Sequence, residues 1–138
     1  MLLRNKKKND VNAGKWIGVG GKQEKGETPL ECMIRETKEE TGLTMCDPRY
    51  RGMVYFIYDD RETELIHIYT CQSYTGRLKE CPEGTLAWIP QDQLDAIPLW
   101  EGDRLFLKRL MNDDDTLFTL YLYYDRDGNL LKAEEGDK

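Results

Sequence analysis

Apolar and polar positions alternate most clearly towards the C-terminal end. From Thr116 to Tyr124, Phe118, Leu120 and Leu122 alternate with Thr119, Tyr121 and Tyr123, the period-two pattern of a strand with one face buried. Asp127-Gly128 then predicts a turn back into a further strand. Earlier in the chain, Arg51 to Tyr58 is rich in strand formers (Met53, Val54, Tyr55, Phe56, Ile57) and stops at Asp59-Asp60. Further strands are predicted over Glu64 to Tyr74, ended by Gly76, over Lys15 to Val19, entering Gly20-Gly21, and over Leu86 to Ile89 before Pro90. Met1-Leu2-Leu3 reads as the end of a strand whose beginning is absent.

Helical patterns are fewer. Thr28 to Thr41 opens with Thr28 placed to cap, Pro29 suited to the first helical position and Glu31 completing a capping box. Gly42 is placed to end that helix in a left-handed conformation. Leu30, Met33, Ile34 and Thr37 fall on one stripe, which is expected to face a core. Asp103 to Met111 carries Leu107, Leu110 and Met111 at helical spacing, and Gln91 to Asp95 is long enough for one turn. The irregular alternation of strands and helices predicts a mixed α+β sandwich rather than a regular βαβ array.

Composition narrows the class. The 138 residues, 39% hydrophobic and 33% charged, suit a single soluble globular domain over residues 1–138. A net charge of -6 with acids and bases interspersed argues against a binder of nucleic-acid polymers. A nucleotide ligand stays compatible, because a bound metal bridges acidic protein to phosphate. Cysteines at 32, 46, 71 and 81 show no CxxC spacing and His67 is the only histidine, so a zinc site is not expected. Without a disulfide framework the thiols are read as reduced. Met1-Leu2-Leu3 followed by Arg4-Asn5-Lys6-Lys7-Lys8 has no apolar targeting core, and no apolar run reaches membrane-spanning length. The expectation is a cytoplasmic protein with no membrane partner, as a monomer or homodimer. His67, flanked by Ile66 and Ile68, is read as an ordinary strand histidine.

The chemistry concentrates on the helix from Thr28 to Thr41. Glu36, Glu39 and Glu40, at i, i+3 and i+4, converge on one face. Like charges at this spacing repel by a few tenths of a kcal/mol each, and a hard cation such as Mg²⁺, which prefers oxygen ligands, removes the conflict. A solvated acidic face is the competing reading of such a helix, and its surroundings decide against that. Gly21, then Glu27 six residues on, then Arg35-Glu36, Glu39-Glu40 and Gly42-Leu43 make up GKQEKGETPLECMIRETKEETGL.

This segment resembles the signature of the Nudix hydrolase family: Gly, five residues, Glu, seven residues, then Arg-Glu-apolar-x-Glu-Glu-x-Gly-apolar, forming a loop-helix-loop. The one departure is Thr37 where an aliphatic residue is usual. The resemblance implies a Nudix-like α/β/α sandwich with a mixed β-sheet. It also implies that Gly21, Glu36, Glu39 and Glu40 bind Mg²⁺ or Mn²⁺ and that Arg35 pairs with a motif glutamate, Glu27 being one candidate. A carboxylate of the set, Glu36 and Glu39 among them, then helps deprotonate the attacking water. This suits phosphoryl chemistry, which needs metal charge and an oriented nucleophile.

The segments Gly14 to Lys22, Glu83 to Pro90, Pro98 to Asp103 and Leu117 to Leu131 also look like MutT-like members that hydrolyse oxidised purine nucleoside triphosphates such as 8-oxo-dGTP. By that resemblance Glu83 reaches the metal site, Trp100 stacks on the base, Asp103 hydrogen-bonds it, and Arg4 and Lys22 contact the substrate. For Trp100 a packed core position at a helix start is an equal reading, and for Asp103 a carboxylate favourable to the helix macrodipole is the preferred one. Ile17 and Gly102 depart from the polar and acidic residues of the mammalian oxidised-purine enzymes. Other diphosphate substrates (a dinucleoside polyphosphate, a nucleotide sugar, an RNA 5′ end) and a non-catalytic nucleotide-sensing module are the alternatives. The retained motif carboxylates argue against the last.

Overall fold

The computed structural model describes residues 1–6, 9–111 and 116–136, so Lys7 and Lys8 of the basic N-terminal run lie outside it. The elements are β1 (Leu2–Arg4), β2 (Trp16–Ile17), α1 (Pro29–Thr41), β3 (Leu43–Cys46), β4 (Arg49–Tyr58), β5 (Glu64–Thr70), β6 (Ser73–Gly76), β7 (Gly84–Leu86), a 3-10 helix (Gln91–Ala96), α2 (Glu101–Met111), β8 (Phe118–Tyr124) and β9 (Leu130–Glu135). They fall into two units, the first from Met1–Pro48 and Cys71–Leu99, the second from Arg49–Thr70 and Trp100–Lys138. Among the described residues no helix is long and apolar enough to cross a membrane.

In the first unit β1 is the middle strand of three, antiparallel to β2 on one side and β7 on the other. Leu2, wholly buried, anchors it. The Met1 ammonium donates to the Ala87 carbonyl at 2.8 Å, while the Ala87 N–H donates to the Met1 carbonyl. β3 and β6 form a separate antiparallel pair, and α1 packs on β3.

The second unit is a four-stranded sheet in the order β5-β4-β8-β9. It is mixed, because β4 and β8 run parallel while β5 and β9 are antiparallel to their neighbours. The alternation in β8 is realised residue by residue: Phe118, Leu120, Leu122 and Tyr124 are buried. They join Val54, Phe56 and Ile68 in one core, against which Phe106 and Leu110 of α2 also pack. Burying each such aliphatic or aromatic side chain contributes about 1.5–3 kcal/mol. On the opposite face Tyr55 and its register partner Tyr121 stack at 4.8 Å.

Four expectations are corrected. The run Glu64 to Tyr74 is two strands, because its halves bond to different partners, β5 to β4 and β6 to β3. Lys15 to Val19 contracts to Trp16–Ile17, in register with Leu3 and Leu2 of β1. The strand expected over Leu86 to Ile89 lies at Gly84–Leu86, where Leu3 and Arg4 set the register. In α1 the buried stripe is only partly the predicted one: Cys32, Thr37 and Thr41 are buried while Leu30 is 40% exposed. In α2, Phe106 and Leu110 face the core while Met111 is exposed.

Candidate active site

The site is built from the first unit alone, around α1. The predicted capping box is present. The Glu31 N–H donates to Thr28 Oγ1 at 3.1 Å and the Thr28 N–H to Glu31 Oε1 at 2.9 Å, satisfying donors that a helix start leaves open. At the other end Gly42 is left-handed (φ 82°) and donates to the Lys38 carbonyl. A Cβ there would stand 2.4 Å from the Arg77 carbonyl oxygen, so the position accepts only glycine.

Between the caps, Arg35 is the organising group. Its Nε and Nη2 grip Glu27 in a two-pronged pair at 2.6 and 2.9 Å. Nη1 donates to Glu36 at 3.0 Å and to Glu39 at 3.2 Å, and Nη2 to the Lys22 carbonyl at 3.1 Å. Glu24 adds a further ion pair at 3.1 Å. Forked guanidinium–carboxylate pairs fix direction as well as charge. The Arg35 hydrogen bond holds the Glu27 carboxyl at about 2, below the usual range, and Glu27 in turn raises Arg35. Of the motif glutamates that Arg35 touches, Glu27 is therefore the one it holds at two points. A carboxyl whose folded pKa is depressed stabilises the fold above its unfolded value of about 4.5 and loses that contribution as pH falls towards about 2. In Glu27→Gln, part of the steep fall in thermal midpoint between pH 4.5 and 2 is expected to vanish; an acid limb identical to the parent's would separate Glu27 from this clamp.

Glu40 accepts the Gly20 N–H at 2.9 Å. Burial raises its carboxyl to about 7, reinforced by a hydrogen bond and charge from Glu83 and by the charge of Glu36. Two carboxyl groups hydrogen-bonded to each other hold a proton between them unless a cation replaces it. Gly21 lies so close to Glu36 that a Cβ would stand 2.3 Å from its carboxyl carbon. The Gly21 carbonyl accepts a long bond from the buried Cys32 thiol at 3.5 Å. Among the described residues no three acidic, thiol or imidazole groups are already gathered as a metal-holding set. Glu36 and Glu39 turn to Arg35 while Glu40 turns to Glu83. The donors nevertheless fit a hard divalent cation, being all oxygen, with a backbone cradle at Gly21 closed to any side chain.

The other predicted residues are placed as follows. Arg4 Nε pairs with Asp10 at 2.7 Å, and its Nη1 lies 4.0 Å from Glu83. The Lys22 side chain is exposed. In the second unit, half-buried Trp100 meets Tyr124 edge-on at 5.4 Å, and a Cβ on Gly128 would stand 3.0 Å from its ring. Asp103 is buried in the first turn of α2, its N–H donating to the Trp100 carbonyl. His67 accepts or donates a 2.9 Å hydrogen bond with Tyr50. The sequence reading missed Asp10, Glu24 and Cys32, whose roles rest on contacts no motif encodes.

A NUDIX domain model matches residues 1–110. The chain is 31% identical over 115 residues to the uncharacterized Nudix hydrolase YvcI of Bacillus subtilis strain 168, covering 80% of this chain and 73% of that one. It is 34% identical over 112 residues to the oxidized purine nucleoside triphosphate hydrolase of Danio rerio, covering 80% and 71%. Among solved structures, the mutator MutT protein of Bacillus halodurans superposes with a TM-score of 0.85 at 29% identity, over 99% of this chain and 89% of that one. The α+β class and mixed sheet thus go together with an Arg35-ordered carboxylate helix that the same family explains. The chain belongs to the Nudix family, as a MutT-like hydrolase of phosphoanhydride bonds.

Proposed function

We propose that the chain is a Mg²⁺-dependent pyrophosphohydrolase of oxidised purine nucleoside triphosphates such as 8-oxo-dGTP, releasing the monophosphate and pyrophosphate and so cleansing the nucleotide pool ahead of DNA synthesis. The geometry that supports the metal-dependent reading is the meeting of α1's carboxylates with the loop before it, Glu40 accepting the Gly20 N–H and Glu36 lying directly against Gly21, an all-oxygen setting that suits a hard divalent cation. The Danio rerio relative's activity supports the substrate class.

In this reading Glu36, Glu39, Glu40, Glu83 and the Gly21 carbonyl hold Mg²⁺, with Mn²⁺ as an alternative. The cation supplies positive charge to the phosphate oxygens. Arg35, gripped by Glu27, keeps Glu36 and Glu39 oriented. A carboxylate of this set takes the proton of the attacking water. Lys22 and Arg4 serve the phosphate chain, Arg4 also steadying Glu83 through the Asp10 pair. Trp100 offers ring surface to the base and Asp103 a carboxylate to its edge. The free thiols of all four cysteines suit a reducing cytoplasm.

The decisive experiment is a substrate panel of 8-oxo-dGTP, unmodified dNTPs, ADP-ribose and dinucleoside polyphosphates, with and without Mg²⁺, scored by product identity. Turnover of 8-oxo-dGTP to monophosphate and pyrophosphate, lost on chelation, is the expected result. Preference for ADP-ribose or a dinucleoside polyphosphate would sink the substrate assignment, and undiminished turnover in chelator would sink the metal.

A further inference from the structure

Glu83 lies on no strand or helix. It sits at the tip of a tight turn, Cys81-Pro82-Glu83-Gly84, closed by a bridge between Cys81 and Gly84 whose N–H to carbonyl bond is long at 3.4 Å. Pro82 fixes one backbone angle of the turn, and the buried Cys81 seats its root. The Glu83 side chain itself is 37% exposed, so its direction depends on what holds the turn from outside.

Three consecutive residues at the end of β1 grip that turn. Arg4 is the register partner of Gly84, and a Cβ on Gly84 would run into the Leu3 carbonyl, so the two backbones approach as only glycine permits. The Lys6 ammonium donates to the Cys81 carbonyl at 3.1 Å and the Asn5 amide to Thr85 Oγ1 at 3.0 Å, securing both shoulders. The Arg4 guanidinium reaches the tip, its Nη1 standing 4.0 Å from Glu83 Oε2.

Asp10 fixes Arg4 from behind. Its Oδ2 accepts a bond from Arg4 Nε at 2.7 Å, and its Oδ1 accepts the Asn12 N–H at 3.1 Å. The Asp10 side chain is 5% exposed and that of Arg4 13%, so the pair is shielded from the water that weakens surface ion pairs. Arg4 is thus bonded to Asp10 and only within Coulomb range of Glu83. Asp10 keeps the guanidinium near enough to orient Glu83 and too far to occupy its oxygens.

We propose that Asp10 and Lys6 are positioning residues for Glu83, Asp10 acting through Arg4 and Lys6 through the backbone of the turn. Together they set where that carboxylate meets the cation. The inference rests on the proposed function, which gives Glu83 to the metal, and adds two residues that lie outside the signature segment. Without Asp10 the released guanidinium closes on Glu83 and competes with the cation. Without Lys6 the turn loosens, and binding must first order it.

The test is calorimetric binding of Mn²⁺ to the substrate-free protein, which requires no turnover. Glu83→Gln, the reference, is expected to weaken Mn²⁺ about thirtyfold, and Asp10→Asn, which keeps the side chain's shape, about tenfold. Lys6→Met should cost about threefold and Lys6→Arg, which restores the donor, almost nothing. Asp92→Asn removes the same charge from the exposed 3-10 helix and should change affinity less than about twofold. The deciding variant combines Asp10→Asn with Glu83→Gln. Acting through Glu83, Asp10→Asn adds nothing once that carboxylate is gone, whereas a merely structural role costs about tenfold again. The inference is overturned if Asp10→Asn alone stays within about twofold of the parent, if its cost persists in the Glu83→Gln background, or if Lys6→Met and Lys6→Arg bind alike. Parental Mn²⁺ affinity in Glu83→Gln would be a different failure, sinking the metal role of Glu83 in the proposed function and this inference with it.

Discussion

Glu40→Gln is expected to lower kcat on the preferred triphosphate by at least a hundredfold while leaving the apo protein as stable as its parent or more so. On the proposed function, the activity loss follows from removing one charged ligand of the cation that would bind the phosphates. Such stabilisation is worth several kcal/mol, and about 3 kcal/mol is on the order of a hundredfold in rate. The stability half follows from the site's electrostatics. Glu40 is raised to about 7 by burial and by Glu83, so its folded-state pKa lies above its unfolded value of about 4.5. The ionised carboxyl therefore costs the fold stability, increasingly as pH rises from about 4.5 through 7. Glutamine keeps an oxygen for the Gly20 N–H and gains N–H donors for Glu83, without the repulsion. In chelator, the variant's melting midpoint should match the parent's at pH 4.5 and equal or exceed it at pH 8. Glu39→Gln should lose turnover comparably. Near-parental kcat with Mg²⁺ in either variant would remove that residue from the site, and a lower apo midpoint at pH 8 in Glu40→Gln would contradict the Glu40–Glu83 pairing.

Gly52→Ala carries the largest expected effect on stability. Gly52 stands where the β4–β5 register shifts and where the parallel ladder with β8 begins, opposite Phe118. Its φ is 151°, and a Cβ would stand 2.2 Å from the Phe118 carbonyl oxygen and 2.9 Å from its nitrogen. Neither atom is a flexible side-chain tip, so the two strands must part or the ladder must slip. A backbone strain of about 1–3 kcal/mol adds to an overpacking cost of similar size, giving at least about 3 kcal/mol, a large share of a typical domain's 5–15. Urea denaturation measures it. Gly18→Ala, where nothing lies within 4 Å of the new methyl, is the near-neutral comparison. Equal urea midpoints for the two variants would show that β4 and β8 do not approach as closely as Gly52 requires.

What could be read from the sequence was what is local. The Thr28–Glu31 box, the Gly42 cap and the alternation of β8 each depend on residues within a turn or a strand of one another, and all are present. The Arg35–Glu27 pair was within reach through the family resemblance, whose pattern sets seven residues between them and left Glu27 as one candidate partner. Partner choice was not legible. Nothing within Glu64 to Tyr74 states that its first half bonds to β4 and its second to β3, since pairing is decided by strands far along the chain. The buried side of α1 was legible only in part: Thr37 is buried as expected, but Cys32 and Thr41, small and weakly apolar, join it in preference to Leu30; fit to the available space outweighed hydrophobicity. Glu83 came to Glu40 only through the family resemblance, and no local pattern predicts Asp10 on Arg4.

The parallel pairing of β4 with β8 has a consequence for how the chain is made. β4 and β5 can close as a hairpin soon after they emerge from the ribosome, with Val54, Phe56 and Ile68 already on one face. The strand that completes their sheet, β8, belongs to the far end of the sequence, with β6, β7 and α2 translated in between. At roughly 5–20 residues per second, those apolar side chains and one bare edge of β4 wait several seconds for Phe118, Leu120 and Leu122. Nascent chains stalled before β8 therefore carry an open, hydrophobic strand edge, and they are the form of this protein that chaperones must shelter.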